Sequence, residues 1–184
     1  MSWKNTDIRY GSVSIAMHWL MFFLMIAVYS CIELRELYPK GSDPREAFKM
    51  WHFMLGLTVL CLVCVRVGVR LVQVTPGIVP ALSNWQHLFA KAMQLSLYAV
   101  MIGMPIAGWL ILSAAGKPVP FWGLELPPLM AENKDTAEFI EDAHKLAGKI
   151  SYFLIAGHTV AALFHHYVQK DNTLTRMLPH RNGQ

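Results

Sequence analysis

Four stretches without a formal charge constrain this chain more than any other feature. Its 16 Lys and Arg and 12 Asp and Glu leave residues 10–32, 50–65, 92–116 and 150–169 free of all four residue types. A helix needs about 20 mostly apolar residues to cross a hydrocarbon core of about 30 Å. With their apolar flanks, these stretches predict spans at about 13–32, 50–71, 88–113 and 145–167 within a single domain covering residues 1–184. A fifth uncharged stretch, 71–90, is different: Pro76, Gly77 and Pro80 stand among Gln73, Thr75, Ser83, Asn84 and Gln86, which break helical bonding and mark a loop. Pro105 and Gly108 predict a bend in the third span.

The expected fold class is therefore an all-α integral membrane protein, a four-transmembrane-helix bundle whose first partner is the lipid bilayer. Charged residues make up 15% of the chain, against about 25% in a soluble domain, which excludes a soluble globular or disordered protein. Cys31, Cys61 and Cys64 all lie in apolar stretches and imply no disulfide framework. A signal peptide is disfavoured at the first span, because bulky Tyr29 sits two residues before Cys31 and His18-Trp19 interrupts the apolar run.

Four spans put both termini on one side, called inner below. Lys and Arg divide eight against eight between the two sides, so the positive-inside count does not orient the chain. The acidic residues are lopsided: only Asp7 and Asp171 fall on the inner side, giving net +6 inside and −2 outside. That favours cytoplasmic termini.

Ionisable residues at membrane depth are functional candidates. His18 lies in the first span, His52 at the start of the second, His144 at the mouth of the fourth and His158 well inside it. His144 and His158 are 14 residues apart, almost four helical turns, so they share one face about 21 Å apart along the axis. That spacing suits two stacked sites. Antiparallel neighbours bring His52 in from the side of His144, while His18 reaches the level of His158 from the opposite surface. Two imidazoles at each of two levels suit bis-imidazole ligation of a planar haem within a bundle. Gly56 and Gly148, each one turn after a histidine, and Ala161 and Ala162 after His158, would let the macrocycle approach the backbone. A lone membrane histidine is ordinarily an interhelical hydrogen-bonding group. Zinc or copper is the other metal reading, though neither pair has the further Cys or carboxylate of a tetrahedral site.

Other residues at the span ends carry two readings each. Arg66, at the inner end of the second span, would pair with a propionate of the inner haem or snorkel to lipid headgroups. His165 and His166, with Lys170 and Asp171 beside them, would relay protons at the inner surface or simply cap the last helix. Cys61 and Cys64 form a C-x-x-C that reads as packing on a continuous helix. The six Trp residues fall mostly near span ends, as an aromatic belt does.

The sequence resembles the bacterial cytochrome b561 proteins, and within them the small superoxide oxidase type. The resemblance covers nearly the whole chain. It rests on Ser14-Ile15-Ala16-Met17-His18-Trp19, on Glu33-Leu34-Arg35 with Tyr38-Pro39, on Trp51-His52 with Gly56, on Tyr98 with Pro105 and Gly108, on His144 with Gly148 and Tyr152, and on the run from His165 through Thr173-Leu174 and Arg176-Met177 to Pro179. It implies two haem b groups, with His18 and His158 as axial ligands of the inner iron and His52 and His144 of the outer. It also implies a multi-pass protein of the bacterial inner membrane with both termini cytoplasmic. The activity implied is electron transfer from a small periplasmic donor, superoxide in the best-matching members, to membrane ubiquinone at a site beside His165, His166 and Lys170, with no nucleic-acid partner. Such a protein is an oxidoreductase of the superoxide:quinone type. Family members often carry a histidine four residues before the match to Tyr98, where this chain has Gln94. The outer side is net negative, so attraction of an anionic donor falls to Arg35, Lys40, Lys49 and Lys117. Two alternatives stand beside this reading: a non-catalytic cytochrome b subunit wiring a partner dehydrogenase or hydrogenase, and a haem-free transporter using the histidines as a relay.

Overall fold

The computed structural model describes residues 2–179. Four long helices run antiparallel in chain order: α1 (Ser12–Leu34), α2 (Asp43–Val72), α3 (Asn84–Ala114) and α4 (Lys134–Phe164). All four are long and apolar enough to cross a membrane, and the chain is a membrane helix bundle. Their apolar middles expose Phe23, Leu95, Phe153 and Val160 by 62 to 79%. In water such a surface would be an aggregation hazard; in a bilayer it is the lipid-facing side.

The helices outrun the apolar stretches. Pro44 opens α2 a full two turns before the uncharged stretch, and Asn133 caps α4 by accepting the Thr136 N–H at 2.9 Å. Charged residues thus form the outer turns of α2 and α4. At the inner end Ser83 starts α3, its N–H bonded to Gln86 Oε1 at 3.0 Å. The sequence-predicted loop over 71–90 therefore shrinks to residues 73–83. Helix α3 continues through Pro105 to Ala114.

Packing follows chain order, with α1 on α2, α2 on α3 and α3 on α4. Near the middle, Met21, Val59 and Val63 form a core with Tyr98 and Met101 around it. Towards the outer side, Leu57 and Leu112 close over Val119. Val119 belongs to a two-stranded hairpin, β1 (Val119–Phe121) and β2 (Leu124–Leu126), which the sequence reading did not anticipate. Its turn uses Trp122 and Gly123, both at positive φ, with the Trp122 indole donating to Thr58 Oγ1 at 2.9 Å.

Two knots close the ends of the bundle. On the outer side Arg45, 7% exposed, donates to the carbonyls of Arg35 and Tyr38 at 3.1 and 2.9 Å and grips both carboxylate oxygens of Glu36. On the inner side, Asn172 and Val79 exchange two hydrogen bonds, Arg176 donates to the Gly77 carbonyl, and the Trp19 indole donates to the Met177 carbonyl at 2.7 Å. The amino-terminal segment joins the same knot through Asn5, bonded to Gln73 and Val74. Gly11 is needed where that segment folds over, since a Cβ there would stand 2.5 Å from the Lys4 backbone.

Replacing Arg45 with Met would leave two carbonyls at the outer knot without their donor, at a cost of about 2 kcal/mol. The expected result is a lower unfolding midpoint in detergent with unchanged helix content; an unaltered midpoint would show that the knot does not stabilise the bundle.

Candidate cofactor site

Each of the four membrane histidines faces a partner. His18 of α1 meets His158 of α4 with ring centroids 6.3 Å apart and planes crossed at 61°. His52 of α2 meets His144 of α4 at 6.3 Å and 78°. Helix α4 thus contributes one ring at each level. All four rings are half-buried among apolar residues.

The surroundings differ between the levels. At the outer pair, His52 Nδ1 lies 3.1 Å from the Val28 carbonyl, which as an acceptor fixes the proton on Nδ1 and leaves Nε2 for a ligand. His144 Nδ1 is buried without a hydrogen-bond partner among the described residues, and Gly108 of α3 leaves room beside the ring: a Cβ there would come to 3.9 Å of His144 Cε1. Gly56, one turn from His52, faces open space, with nothing within 4 Å of where its Cβ would be. At the inner level, Arg66 donates through Nε to the Tyr98 hydroxyl at 3.3 Å, while its Nη1 is buried and has no partner among the described residues.

The chain matches the family described as "Prokaryotic cytochrome b561" over residues 9–180. It is 38% identical over 175 residues to a Yersinia pestis protein named "Probable superoxide oxidase CybB", covering 95% of this chain and 98% of that one. It is 35% identical over 173 residues to "Cytochrome b561 homolog 1" of Escherichia coli (strain K12), covering 94% and 98%. "Cytochrome b561 homolog 2" of the same strain is 32% identical over 186 residues, covering 97% and 95%. This chain belongs to the prokaryotic cytochrome b561 family.

As a cytochrome b561 it is a multi-pass membrane b-type cytochrome, an electron-transport protein whose cofactor is haem. The histidine pairs fit that group. A metal–imidazole bond of about 2.0 Å, with about 1.1 Å more from nitrogen to ring centre, puts two imidazoles on opposite sides of one iron about 6.2 Å apart. Both observed pairs stand at 6.3 Å. The space against Gly56 and the unpartnered Arg66 Nη1 fit a flat macrocycle and an anionic propionate respectively. Among the described residues no group of three or more His, Cys, Asp and Glu could hold a metal ion. A donor set of two imidazoles is short of a zinc site and sufficient for haem iron, whose equatorial ligands come with the macrocycle.

The remaining sequence-predicted residues gather at the inner end. His166 and Lys170 line a cleft of about 400 Å³ with Val79, Asp171, Asn172 and Thr175. His165 instead turns its Nδ1 to the Asp171 carboxylate. Gln94 accepts from Arg70 at 3.0 Å. On the outer side Arg35 and Lys49 are ion-paired with Glu36 and Glu46 at 2.9 and 2.7 Å, whereas Lys40 and Lys117 form no ion pair among the described residues. Cys61 and Cys64 are exposed free thiols on α2.

One pair of residues was missed by sequence reasoning. Ser151 is fully buried, gives its proton to the Ala147 and Gly148 carbonyls, and so accepts the Tyr29 O–H at 2.6 Å. It stands seven residues from both His144 and His158, and that equal spacing on one helix was the available signal.

Asp171 also supplies a pH prediction. Burial pushes its carboxyl upward, but the His165 ring and the Thr173 N–H outweigh that and hold it below its ordinary value. A carboxyl depressed in the folded state stabilises above its ordinary value, about 3.9, and loses that contribution as pH falls through the folded value. Acidification below about pH 4 is therefore expected to loosen the inner knot, read as a change in Trp19 fluorescence that Asp171→Asn abolishes. The same acid transition in wild type and variant would contradict it.

Proposed function

We propose that this cytochrome b561 holds two haem b groups in the bacterial inner membrane, both termini cytoplasmic, and carries single electrons inward from superoxide to ubiquinone. The observation that carries this reading is the pair of equal histidine gates, His52 with His144 and His18 with His158, set on one helix about 21 Å apart. One site would serve a cytochrome that works at one surface; two at different depths suit passage across the bilayer.

Haem supplies the one-electron chemistry, and the protein's share is ligation, burial and access. His18 with His158 and His52 with His144 would hold the two groups. Arg66, whose Nη1 has no partner among the described residues, would hold a propionate of the inner group. At the outer end Lys40 and Lys117 attract the anion, with Arg35 and Lys49 partly neutralised by their carboxylate partners. At the inner end His165, His166 and Lys170 border the ubiquinone site. The balance is two superoxide anions leaving as O₂, one electron from each, and one ubiquinone taking two electrons and two protons to the quinol. Superoxide as donor is supported by the name of the Yersinia pestis relative.

Replacing His52 or His144 with Ala is expected to remove one haem, and replacing His18 or His158 the other, measured by haem per polypeptide and reduced-minus-oxidised spectra of the purified variants. A protein with no b-type absorbance, or four variants whose spectra show loss of the same haem, would overturn the assignment. Stopped-flow mixing with superoxide should reduce the haems of the isolated wild-type protein and, with ubiquinone present, yield quinol. Absence of that reduction in haem-loaded protein would favour the subunit of a partner dehydrogenase or hydrogenase.

A further inference from the structure

The inner end of α4 leaves regular geometry at three adjacent places. Residues His165–Gln169 form a π-helical turn, Lys170 takes the left-handed conformation at φ 56°, and Asp171 turns back to become 6% exposed. π-turns and left-handed residues other than glycine concentrate at functional sites, where surrounding contacts hold the strain. Here the contacts are explicit. The Asp171 N–H donates to the His165 carbonyl at 3.2 Å, Asp171 Oδ1 accepts the Thr173 N–H at 2.8 Å, and Oδ2 faces His165 Nδ1.

An ionised carboxylate only accepts hydrogen bonds, so His165 must carry its proton on Nδ1 and present Nε2 as the exchanging atom. His165 lies seven residues beyond His158, about 10 Å further towards the inner surface and on nearly the same face of α4. Asp171 also borders the open cleft that His166, Lys170 and Asn172 line. The charged and titratable neighbours are His166 and Lys170 on the end of α4, and Arg176 in the following turn, itself set over the Tyr10 ring.

We propose that Asp171 and His165 form a proton-handling dyad: Asp171 positions the ring, and His165 Nε2 takes protons from inner-side water and gives them to the acceptor reduced at this end. The assignment rests on the ubiquinone reading above. In each step Nε2 gains a proton from water, the imidazolium is held against the Asp171 carboxylate, and the proton then bonds to a quinone oxygen as an electron arrives. Two such relays accompany two electrons, and the dyad ends unchanged.

Asp171→Asn is the informative variant, because its side-chain oxygen can still accept from Thr173 while its NH₂ forces the proton of His165 onto Nε2. In the haem-loaded, full-length protein, chemically reduced haems are mixed with ubiquinone and their reoxidation is followed. The expected loss in rate is about 10- to 100-fold for Asp171→Asn, with haem content and spectra kept, and smaller for Asp171→Glu. The slow rate of Asp171→Ala is expected to recover with added formate, which can reach the missing carboxylate's place through the cleft. ¹⁵N-histidine NMR of the reduced protein should show His165 protonated on Nδ1 in the wild type and not in Asp171→Asn. Wild-type rates in Asp171→Asn and Asp171→Ala, or a His165 ring without an Nδ1 proton, would overturn the dyad; so would a slow Asp171→Ala that formate leaves unchanged. Wild-type haems that ubiquinone fails to reoxidise, with the Nδ1 proton present, would instead overturn the ubiquinone reading.

Discussion

Everything in this bundle depends on giving an imidazole inside a bilayer something to bind. Hydrocarbon offers no hydrogen bonds, so a polar ring at depth must find its partner within the protein. Four rings find one another in two pairs, each with ring centroids 6.3 Å apart. Helix order follows from that requirement: α4 must face α1 at one level and α2 at the other. The direct helix contacts that remain, α1 on α2, α2 on α3 and α3 on α4, then close the bundle around those faces.

A polar contact at the midpoint joins the two levels. Ser151 and Tyr29 tie α4 to α1 between the histidine pairs, and Tyr152 adds a hydrogen bond to Glu33 at 2.7 Å. The two knots, Arg45 outside and the Asn172–Arg176 turn inside, hold the connections that lipid cannot stabilise. Bonded ends and crossed rings suit a protein whose part in electron transfer is to hold its cofactor in place.

Much of this was legible in the sequence because membrane helices obey few rules. Charge-free length gives the spans, and the 14-residue interval between His144 and His158 places two histidines on one face of one helix. The helix ends were not legible, since Pro44 and Asn133 extend α2 and α4 into charged segments that hydropathy counts as loop. The hairpin at Val119–Leu126 escaped because its turn residues, Trp122 and Gly123, are not a usual turn pair. The sequence placed Asp171 beside His165 and His166 but did not show that its carboxylate meets the His165 ring. Only the π-turn and the left-handed residue, which no local pattern announces, fold its carboxylate back onto His165.

The most direct test of the central claim is the haem-to-polypeptide ratio of the purified protein, taken together with its reduced absorption spectrum. Two b-type haems per chain with low-spin, six-coordinate bands are predicted from the two histidine pairs. A ratio of one, or a spectrum showing five-coordinate iron, would rule out one haem between each histidine pair.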